Sequence, residues 1–242
     1  MITNLYKNMK ISERHKRQFD IIKPDEMNTP IHIIGCGGIG SWSALLIAKM
    51  GCEDITLYDF DKVEDHNIAS QFFKEGQEEE PKTSALSNNI LEQTGVKCKI
   101  ADDRVDPNII IDLEEEWKEM IIAKEKEIDD AIIVIAVDSM EERIKLENFW
   151  VDKNNFIIDG RMGGLQLEIY AIDSLLYADT LVKPENVDPE PCTGRSISFN
   201  CAVIGGLIAN CVRLSLVDKL KPLELKFHFD ALELLKKVYE SH

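Results

Sequence analysis

The chain has 242 residues, 44% of them hydrophobic, which is enough for a continuous core in one α/β domain or two small ones. Aspartate and glutamate outnumber lysine and arginine by 44 to 28, so the net charge is −16 at pH 7. A charge of this sign repels phosphate backbones and anionic lipids. We therefore expect a globular protein with no nucleic-acid partner and no membrane partner.

The sequence also bears on the compartment. The longest apolar stretch, residues 201–212, is interrupted by Asn210 and is shorter than the roughly 20 residues that span a bilayer. The first 30 residues are charged and lack the apolar core of a signal peptide. The six cysteines include no Cys-x-x-Cys pair, which argues against a zinc ribbon and suits reduced thiols. We expect a cytoplasmic protein.

The chain is predicted to begin with a charged, helical arm, residues 1–29, followed by a single domain over residues 30–242. The domain opens with the β-branched run Ile31-His32-Ile33-Ile34, which is typical of a buried parallel strand. Glycines follow at once, and the spacing of apolar residues predicts a helix over 41–50. A second strand is predicted over 54–58.

The middle of the chain continues this alternation of strands and helices. The predicted segments are helix 82–94, strand 96–101, polar helix 117–127, strand 131–137, helix 141–150 and strand 156–158. Alternation in this order predicts a parallel sheet with right-handed crossovers.

The last third changes character. The predicted segments are an antiparallel strand over 165–172, a loop over 179–195, an apolar helix over 197–217, a strand over 227–229 and a terminal helix over 231–239. The predicted fold class is therefore a doubly wound, Rossmann-like, mostly parallel sheet with antiparallel C-terminal strands and flanking helices.

A glycine-rich run, Gly35-Cys36-Gly37-Gly38-Ile39-Gly40, lies directly between the first predicted strand and helix. In this context Gly35 permits the tight turn, Gly37 lets a phosphate approach the backbone, and Gly40 allows close packing of helix on strand. Phosphate would then lie at the helix N-terminus, beside Gly38.

An acidic residue, Asp59, ends the second predicted strand, nineteen residues after Gly40. A carboxylate at this position can accept both hydroxyls of an adenosine ribose. Both NAD and ATP carry that ribose, so the loop and Asp59 predict adenosine binding without choosing between hydride transfer and nucleotidyl transfer.

The segment after the second strand is unusual for a dehydrogenase and resembles the ThiF/MoeB/HesA adenylating enzymes, relatives of ubiquitin-activating enzyme. The residues in register with the family pattern are Asp59, Asp61, Val63, Asn67 and Gln71. The arginine that the family places before the glutamine is replaced by Ser70.

Further matches extend the resemblance from residue 14 to about residue 212. They are the run Arg14-His15-Lys16-Arg17-Gln18, Lys82 after the crossover loop, Asp138 with Arg143, and the glycine helix at Ile204-Gly205-Gly206. The resemblance implies that ATP and Mg²⁺ are the cofactors and that Lys82 and Asp138 are catalytic, Asp138 as the Mg²⁺ ligand. It also implies that Arg17 reaches the γ-phosphate of a neighbouring protomer in a homodimer, and that Asn67 contacts the phosphates or the ribose.

The chain departs from the family at two places, Ser70 and the zinc site, and keeps a cysteine near a third. Ser70 removes one guanidinium from the phosphate site, and Arg161, just after a predicted strand, could supply the missing charge. The zinc-binding Cys-x-x-Cys pairs of many relatives are absent. Cys192 lies near the position where some relatives carry a cysteine that bonds covalently to a carrier, and Arg195 could lower the pKa of its thiol.

The resemblance predicts an adenylyltransferase that activates a carboxyl terminus, of a small ubiquitin-like or sulfur-carrier protein, as an acyl-adenylate with release of pyrophosphate. One alternative is an NAD-binding oxidoreductase, in which Lys82 merely starts a helix and Asp138 is a helix N-cap. Another is a nucleotide-binding scaffold without turnover, which Ser70 favours.

Overall fold

The computed structural model describes residues 13–101, 131–150, 155–181 and 196–239. The predicted helix over 117–127 lies outside the described residues, as does Cys192.

The described part of the N-terminal arm is helical only as two short 3₁₀ segments, Glu13–Gln18 and Pro24–Glu26. The described part of the arm packs on the domain, because Ile22 and Met27 are buried in the main core. Burial of these two side chains fixes the segment to the domain.

The first half of the chain alternates strands and helices, as the sequence predicts. In order these are β1 (Ile31–Ile34), α1 (Gly38–Met50), β2 (Ile55–Tyr58), α2 (Asp65–Ile68), α3 (Lys82–Thr94), β3 (Lys99–Ile100), β4 (Ile132–Ile135), α4 (Met140–Trp150) and β5 (Phe156–Gly163). β1, β2 and β4 are buried along their whole length, which explains their continuous apolar sequences.

The C-terminal half is mostly antiparallel. It comprises β6 (Gln166–Asp173), α5 (Ser174–Tyr177), a 3₁₀ turn (Ala178–Thr180), α6 (Ser198–Leu216), β7 (Leu223–His228) and β8 (Glu233–Val238).

These strands form one eight-stranded sheet in the order β3-β2-β1-β4-β5-β6-β7-β8. Strands β1 to β5 pair in parallel, and β5 to β8 pair as antiparallel neighbours. The predicted fold class is confirmed. The chain leaves β1 toward β2 on one side and returns to β4 on the other, so the topological switch point lies between β1 and β4.

The predicted terminal helix is wrong: residues 233–238 form strand β8 instead. Leucine, glutamate and lysine favour a helix in isolation. Here Leu232 takes a positive φ of 51° in the preceding turn, and β8 then pairs with β7 along its whole length. Pairing with the sheet thus overrides helix propensity.

Helix α6 is 19 residues long and has a mean hydropathy of 1.5, so by length and composition alone it is sufficient to cross a membrane. Its bounds confirm the apolar helix predicted over 197–217. A core helix meets the same criteria, and α6 packs on α1 so closely that a Cβ on Gly205 would lie 2.8 Å from Cβ of Trp42. Glycine is needed at this crossing.

Candidate active site

A cavity of about 490 Å³ opens at the carboxyl ends of the parallel strands, at the switch point between β1 and β4. Ligands of open α/β sheets bind in this crevice. The sequence-predicted residues that line it are Gly35, Gly37, Gly38, Asp59, Asp61, Asn67, Gln71, Lys82 and Asp138.

The glycine loop has the geometry that its spacing predicts. Gly35 has a φ of 92°, and a Cβ there would lie 2.6 Å from the carbonyl oxygen of Ala136. A Cβ on Gly40 would lie 1.8 Å from the carbonyl oxygen of Gly35, so Gly40 serves packing and does not line the cavity. At Gly37 the nearest atom is Nε2 of Gln71, 4.0 Å away, which leaves room for a ligand to approach the backbone.

Asp59 is tied to the glycine loop through backbone hydrogen bonds. Its Oδ2 accepts the N–H of Cys36 at 2.6 Å, and its Oδ1 accepts the N–H of Asp61 at 2.8 Å. Burial raises the pKa of the Asp59 carboxyl to about 6, although Lys82 opposes the shift. A carboxylate has about four lone-pair sites, so Asp59 can still accept the hydroxyls of a ribose.

Lys82 and Asp61 form what we call the open pair, with 2.7 Å between Nζ and Oδ2. Burial alone would lower the pKa of Lys82, but the Asp59 and Asp61 carboxylates outweigh it and raise the pKa. The Lys82 side chain is 10% exposed and that of Asp61 is 55% exposed. The ammonium is therefore charged and can exchange its partner for a phosphate oxygen from the cavity.

The segment after α2 forms a further wall of the cavity. Oδ1 of Asn67 accepts the N–H of Glu64 at 2.9 Å, so its amide nitrogen is the group that can meet a ligand. Within the described part of the chain, Oε1 of Gln71 is buried without a hydrogen-bond partner. A buried acceptor of this kind is costly unless a ligand or water donates to it. This orphaned atom on the cavity wall fits a ligand such as ATP.

Ser70 lies on the same wall, at the position where the family pattern has arginine. It is 7% exposed, and its hydroxyl is 3.2 Å from that of Ser196. Its carbonyl accepts the indole N–H of Trp42 at 2.9 Å, which attaches this segment to α1.

Asp138 follows β4 and its side chain is exposed at the cavity. The N-cap role is filled by Ser139 instead, since Oγ of Ser139 accepts the N–H of Glu142 at 3.0 Å. The side chains of Glu142 and Asp138 are hydrogen-bonded, and burial, then the Asp138 charge, raises the pKa of Glu142 to about 7. Near neutrality the Glu142 carboxyl is therefore only partly ionised.

The donor set at Asp138 and Glu142 fits Mg²⁺. This ion is usually held by one or two carboxylates together with substrate phosphates. In the described ranges no cluster of three or more histidine, cysteine or acidic side chains could hold a metal by itself. A metal here would therefore need the phosphates of a nucleotide as further ligands.

Arg161 does not supply the charge that Ser70 removes, and this prediction is corrected. Its Nε donates to Oδ2 of Asp159 at 2.7 Å, and its terminal nitrogens donate to the carbonyl and hydroxyl of Thr180. Its guanidinium also lies 4.2 Å from the ring centre of Tyr170. Because these contacts hold its guanidinium elsewhere, Arg161 does not line the cavity.

Asp159 joins Arg161 to Arg143, and we call these three residues the sealed triad. Nε of Arg143 donates to Oδ1 of Asp159 at 3.0 Å, and the Asp159 side chain is 0% exposed. Burial alone would raise the pKa of Asp159, but the two guanidinium groups outweigh it and lower the pKa.

Arg17 lies at the opposite end of the molecule from its own chain's cavity. Gln18 donates to the carbonyl of Met50, at the end of α1, and Arg14 donates to the carbonyl of Thr94, at the end of α3. The cavity lies at the other end of α1, which is 13 residues or about 20 Å long. Arg17 is exposed there and does not line the cavity of its own chain.

Sequence reasoning did not assign several residues that line the cavity, among them Glu64, Glu142, Arg143 and Ser196. Glu142 could have been found, because it follows Asp138 by four residues at the start of a helix, and this spacing brings two side chains to one face. Nothing in the sequence around Ser196 indicates that it meets Ser70.

The fold and the cavity define a Rossmann-like α/β protein with a nucleotide-type site at its switch point. The chain matches the ThiF family over residues 19–237 and belongs to that family. Membership supports an enzyme of the adenylyltransferase type. No curated protein sequence matches the chain.

Several solved structures share this fold. Escherichia coli MccB with AMPCPP and MccA is 18% identical, with a TM-score of 0.70 over 95% of this chain and 72% of that chain. E. coli MccB with ATP is 16% identical, with a TM-score of 0.69 over 96% and 72%. PaaA is 16% identical, with a TM-score of 0.68 over 96% and 77%. Such low identities establish the fold alone.

Proposed function

We propose that this protein activates the terminal carboxylate of a peptide or small protein with ATP, forming an acyl-adenylate and pyrophosphate. The observation that carries the proposal is the meeting of the glycine loop, Asp59, Lys82 and Asp138 in one cavity of a ThiF-family chain. Asp59 suits the ribose, the N-terminus of α1 suits the phosphates, and the open pair offers a cation.

In the proposed reaction a carboxylate oxygen of the substrate attacks the α-phosphorus of ATP. A bond forms between that oxygen and phosphorus, and the bond from the α-phosphorus to the oxygen bridging to the β-phosphate breaks. Pyrophosphate leaves with both electrons of that bond. Because two anions must meet, Lys82 would leave Asp61 and stabilise the charge on the phosphates.

Asp138, with Glu142 beside it, would hold Mg²⁺. When bound, this ion would supply positive charge to the phosphates and hold them in one orientation. The cavity wall carries more acidic residues (Asp59, Asp61, Glu64, Asp138 and Glu142) than basic ones (Lys82 and Arg143). An added cation would therefore favour the binding of a polyphosphate here.

We propose that the substrate is the C-terminus of a small ubiquitin-like or sulfur-carrier protein, in the cytoplasm. MccB, which shares the fold, has been solved with MccA and with ATP, which supports a peptide or small protein as the partner. A covalent role for Cys192 is part of the same proposal and concerns a residue outside the described ranges.

The direct test is ATP–pyrophosphate exchange, with labelled pyrophosphate and a panel of peptides and carriers that end in a free carboxylate. We expect label to enter ATP only with a suitable carboxylate, and the same carrier with an amidated C-terminus to be inactive. Lys82→Met should lower exchange by about 10- to 100-fold, whereas Lys74→Met should keep it. Lys74 is a matched control because it also pairs with a carboxylate at 2.7 Å, to Glu92 at the surface.

Two other outcomes would replace the proposal. Preferential binding of NAD over ATP, with hydride transfer to a substrate, would establish the oxidoreductase. Tight ATP binding without exchange across the whole panel would favour a nucleotide-binding scaffold, for which the serine at position 70 is the structural reason.

We also propose a homodimer in which Arg17 serves the cavity of the neighbouring protomer. The attachment of its segment at the far end of α1 supports this, because Arg17 is too distant from its own cavity. Mixing two inactive variants, Arg17→Ala and Asp138→Ala, tests it. Mixed dimers contain one intact site, so activity should return on mixing. Arg17→Ala protein with full activity, or no recovery on mixing, would contradict the proposal.

A further inference from the structure

The guanidinium of Arg143 hydrogen-bonds to the backbone on both sides of Asp138. One terminal nitrogen donates to the carbonyl of Val137 at 2.7 Å, and the other donates to the carbonyl of Ser139 at 3.0 Å. The same side chain also reaches the carbonyl of Gly160 on the neighbouring strand at 2.9 Å. A single guanidinium thus connects the end of β4, the start of α4 and strand β5.

The guanidinium is itself held in a fixed orientation. Asp159 accepts from Nε of Arg143 through one carboxylate oxygen, and its other oxygen accepts from Arg161 and from the hydroxyl of Tyr177. Arg143 is 2% exposed and Asp159 is 0% exposed, so water does not compete for these contacts. Four of the five N–H groups of Arg143 donate to these partners, so the side chain serves mainly to link backbone groups at the edge of the cavity.

We propose that Arg143 is a positioning residue, which fixes the backbone of Asp138 so that its exposed carboxylate keeps one direction toward the nucleotide and its Mg²⁺. The inference rests on the proposed function for the role of Asp138. The carboxylate itself is exposed and shares a hydrogen bond with Glu142, so its direction depends on that partner and on the peptide groups before and after it. Those are the groups that Arg143 holds.

The chemistry of the side chain explains why arginine serves here. A guanidinium is planar and presents donors in several fixed directions, so it can meet Asp159 and two carbonyls at once. A lysine ammonium keeps the charge that neutralises Asp159 but is a compact point charge. Arg143→Lys therefore removes the hydrogen bonds to the carbonyls of Val137 and Ser139 while preserving the buried ion pair with Asp159.

The test measures how much Mg²⁺ strengthens ATP binding, by titrating ATP in EDTA and in excess MgCl₂. Partners that orient metal ligands typically account for about 10- to 100-fold in metal affinity. We expect the Mg²⁺-dependent gain in ATP affinity to be smaller than in the parent by about tenfold or more in Arg143→Lys, as in Asp138→Ala. The ATP affinity of Arg143→Lys in EDTA should equal that of the parent. Arg161→Lys is the matched control, since it makes the same substitution at the other arginine that Asp159 binds. This variant should keep the Mg²⁺-dependent gain in ATP affinity.

Circular dichroism first shows whether each variant is folded. If Arg143→Lys does not fold, Arg143→Gln replaces it with the same expectation, because a glutamine amide can retain only some of the hydrogen bonds to the backbone carbonyls. A Mg²⁺ gain that survives in folded Arg143→Lys, or that is lost equally in Arg161→Lys, would overturn the inference. So would a parent protein whose ATP affinity does not respond to Mg²⁺.

The same experiment separates this inference from the proposed function. A parent with a Mg²⁺ gain that depends on Arg143, but without pyrophosphate exchange, would leave the positioning role standing and remove adenylation. Exchange that depends on Asp138 but not on Arg143 would do the reverse.

Discussion

The open pair and the sealed triad have ion pairs of the same length in very different surroundings. Lys82 and Asp61 are 2.7 Å apart, as are Arg161 and Asp159. The Asp61 side chain is 55% exposed, whereas that of Asp159 is 0% exposed. Burial, rather than distance, therefore decides what each contact can do. The open pair can release its cation to a ligand, and the sealed triad is part of the framework.

The largest expected effect breaks the sealed triad. Asp159→Ala leaves two buried guanidinium groups without their carboxylate, which should lower the free energy of unfolding by about 3–5 kcal/mol. Asp61→Ala, in the open pair, should lower it by about 1 kcal/mol or less, because solvent screens that pair. Urea unfolding of both variants tests the contrast. Equal losses would show that the two clusters do not differ as described.

The next effect concerns Asp138, whose neighbouring carbonyls Arg143 holds. Asp138→Ala should reduce pyrophosphate exchange by about 100- to 1,000-fold, because the carboxylate that would hold Mg²⁺ against the reacting phosphates is lost. Its unfolding free energy should change by only about 0.5 kcal/mol, since the side chain is exposed. Asp173→Ala is the control, an exposed carboxylate at the end of β6 and before a helix. Retained exchange in folded Asp138→Ala would exclude the catalytic role.

A smaller effect belongs to the cation of the open pair. Lys82→Met should weaken ATP binding or exchange by about 10- to 100-fold, the usual value of one charge-assisted contact of about 1.5–3 kcal/mol. Asp61→Asn should do less, because it frees Lys82 rather than removing it. Isothermal titration with ATP measures both variants. An ATP affinity for Lys82→Met equal to that of the parent would mean that the ammonium never leaves Asp61.

The smallest effect is a pH dependence of nucleoside binding. Burial raises the pKa of Asp59 to about 6, so the carboxylate gains a proton and becomes a poorer acceptor as pH falls through that value. Adenosine, whose affinity does not involve phosphate titration, should bind more weakly below pH 6 than above it. Asp59→Asn should bind weakly with a flat profile. A flat profile in the parent would contradict the assignment of Asp59 to the ribose.

The raised pKa of Asp59 also determines how its contribution to stability changes with pH. The folded protein holds the Asp59 proton more tightly than the unfolded chain does, so the contribution of Asp59 to stability is lost as pH rises from 3.8 to about 6. At neutral pH this carboxylate opposes folding. Its retention in the cavity fits a binding role better than a structural one.

The parallel half of the fold was predicted well from the sequence, because each strand and helix there is determined by its own residues. A run of β-branched residues that is buried on both faces forms β1 over the predicted residues, and helix α3 begins at Lys82 and ends at Thr94 as predicted. The glycine loop follows from one strand and one helix alone. Residues that depend only on their own element reach the cavity together because parallel strands end at one edge.

The errors arose where distant partners decide the outcome. The terminal segment has the composition of a helix, yet it forms β8 because β7 offers a strand edge. Arg161 follows Asp159 closely in sequence, but the contacts that turn it away from the cavity come from Thr180 and Tyr170. Spacing along the chain does not reveal such partners, whereas it does place Asp138 at the end of β4.

The central claim is that a substrate carboxylate attacks the α-phosphorus of ATP in the cavity beside the open pair. The most direct measurement uses a carrier or peptide whose terminal carboxylate is labelled with ¹⁸O, followed by mass spectrometry of the AMP released after acyl transfer to a nucleophile. Our account predicts one ¹⁸O atom in each AMP and unlabelled pyrophosphate. Label in phosphate or pyrophosphate, or AMP without ¹⁸O, would contradict it.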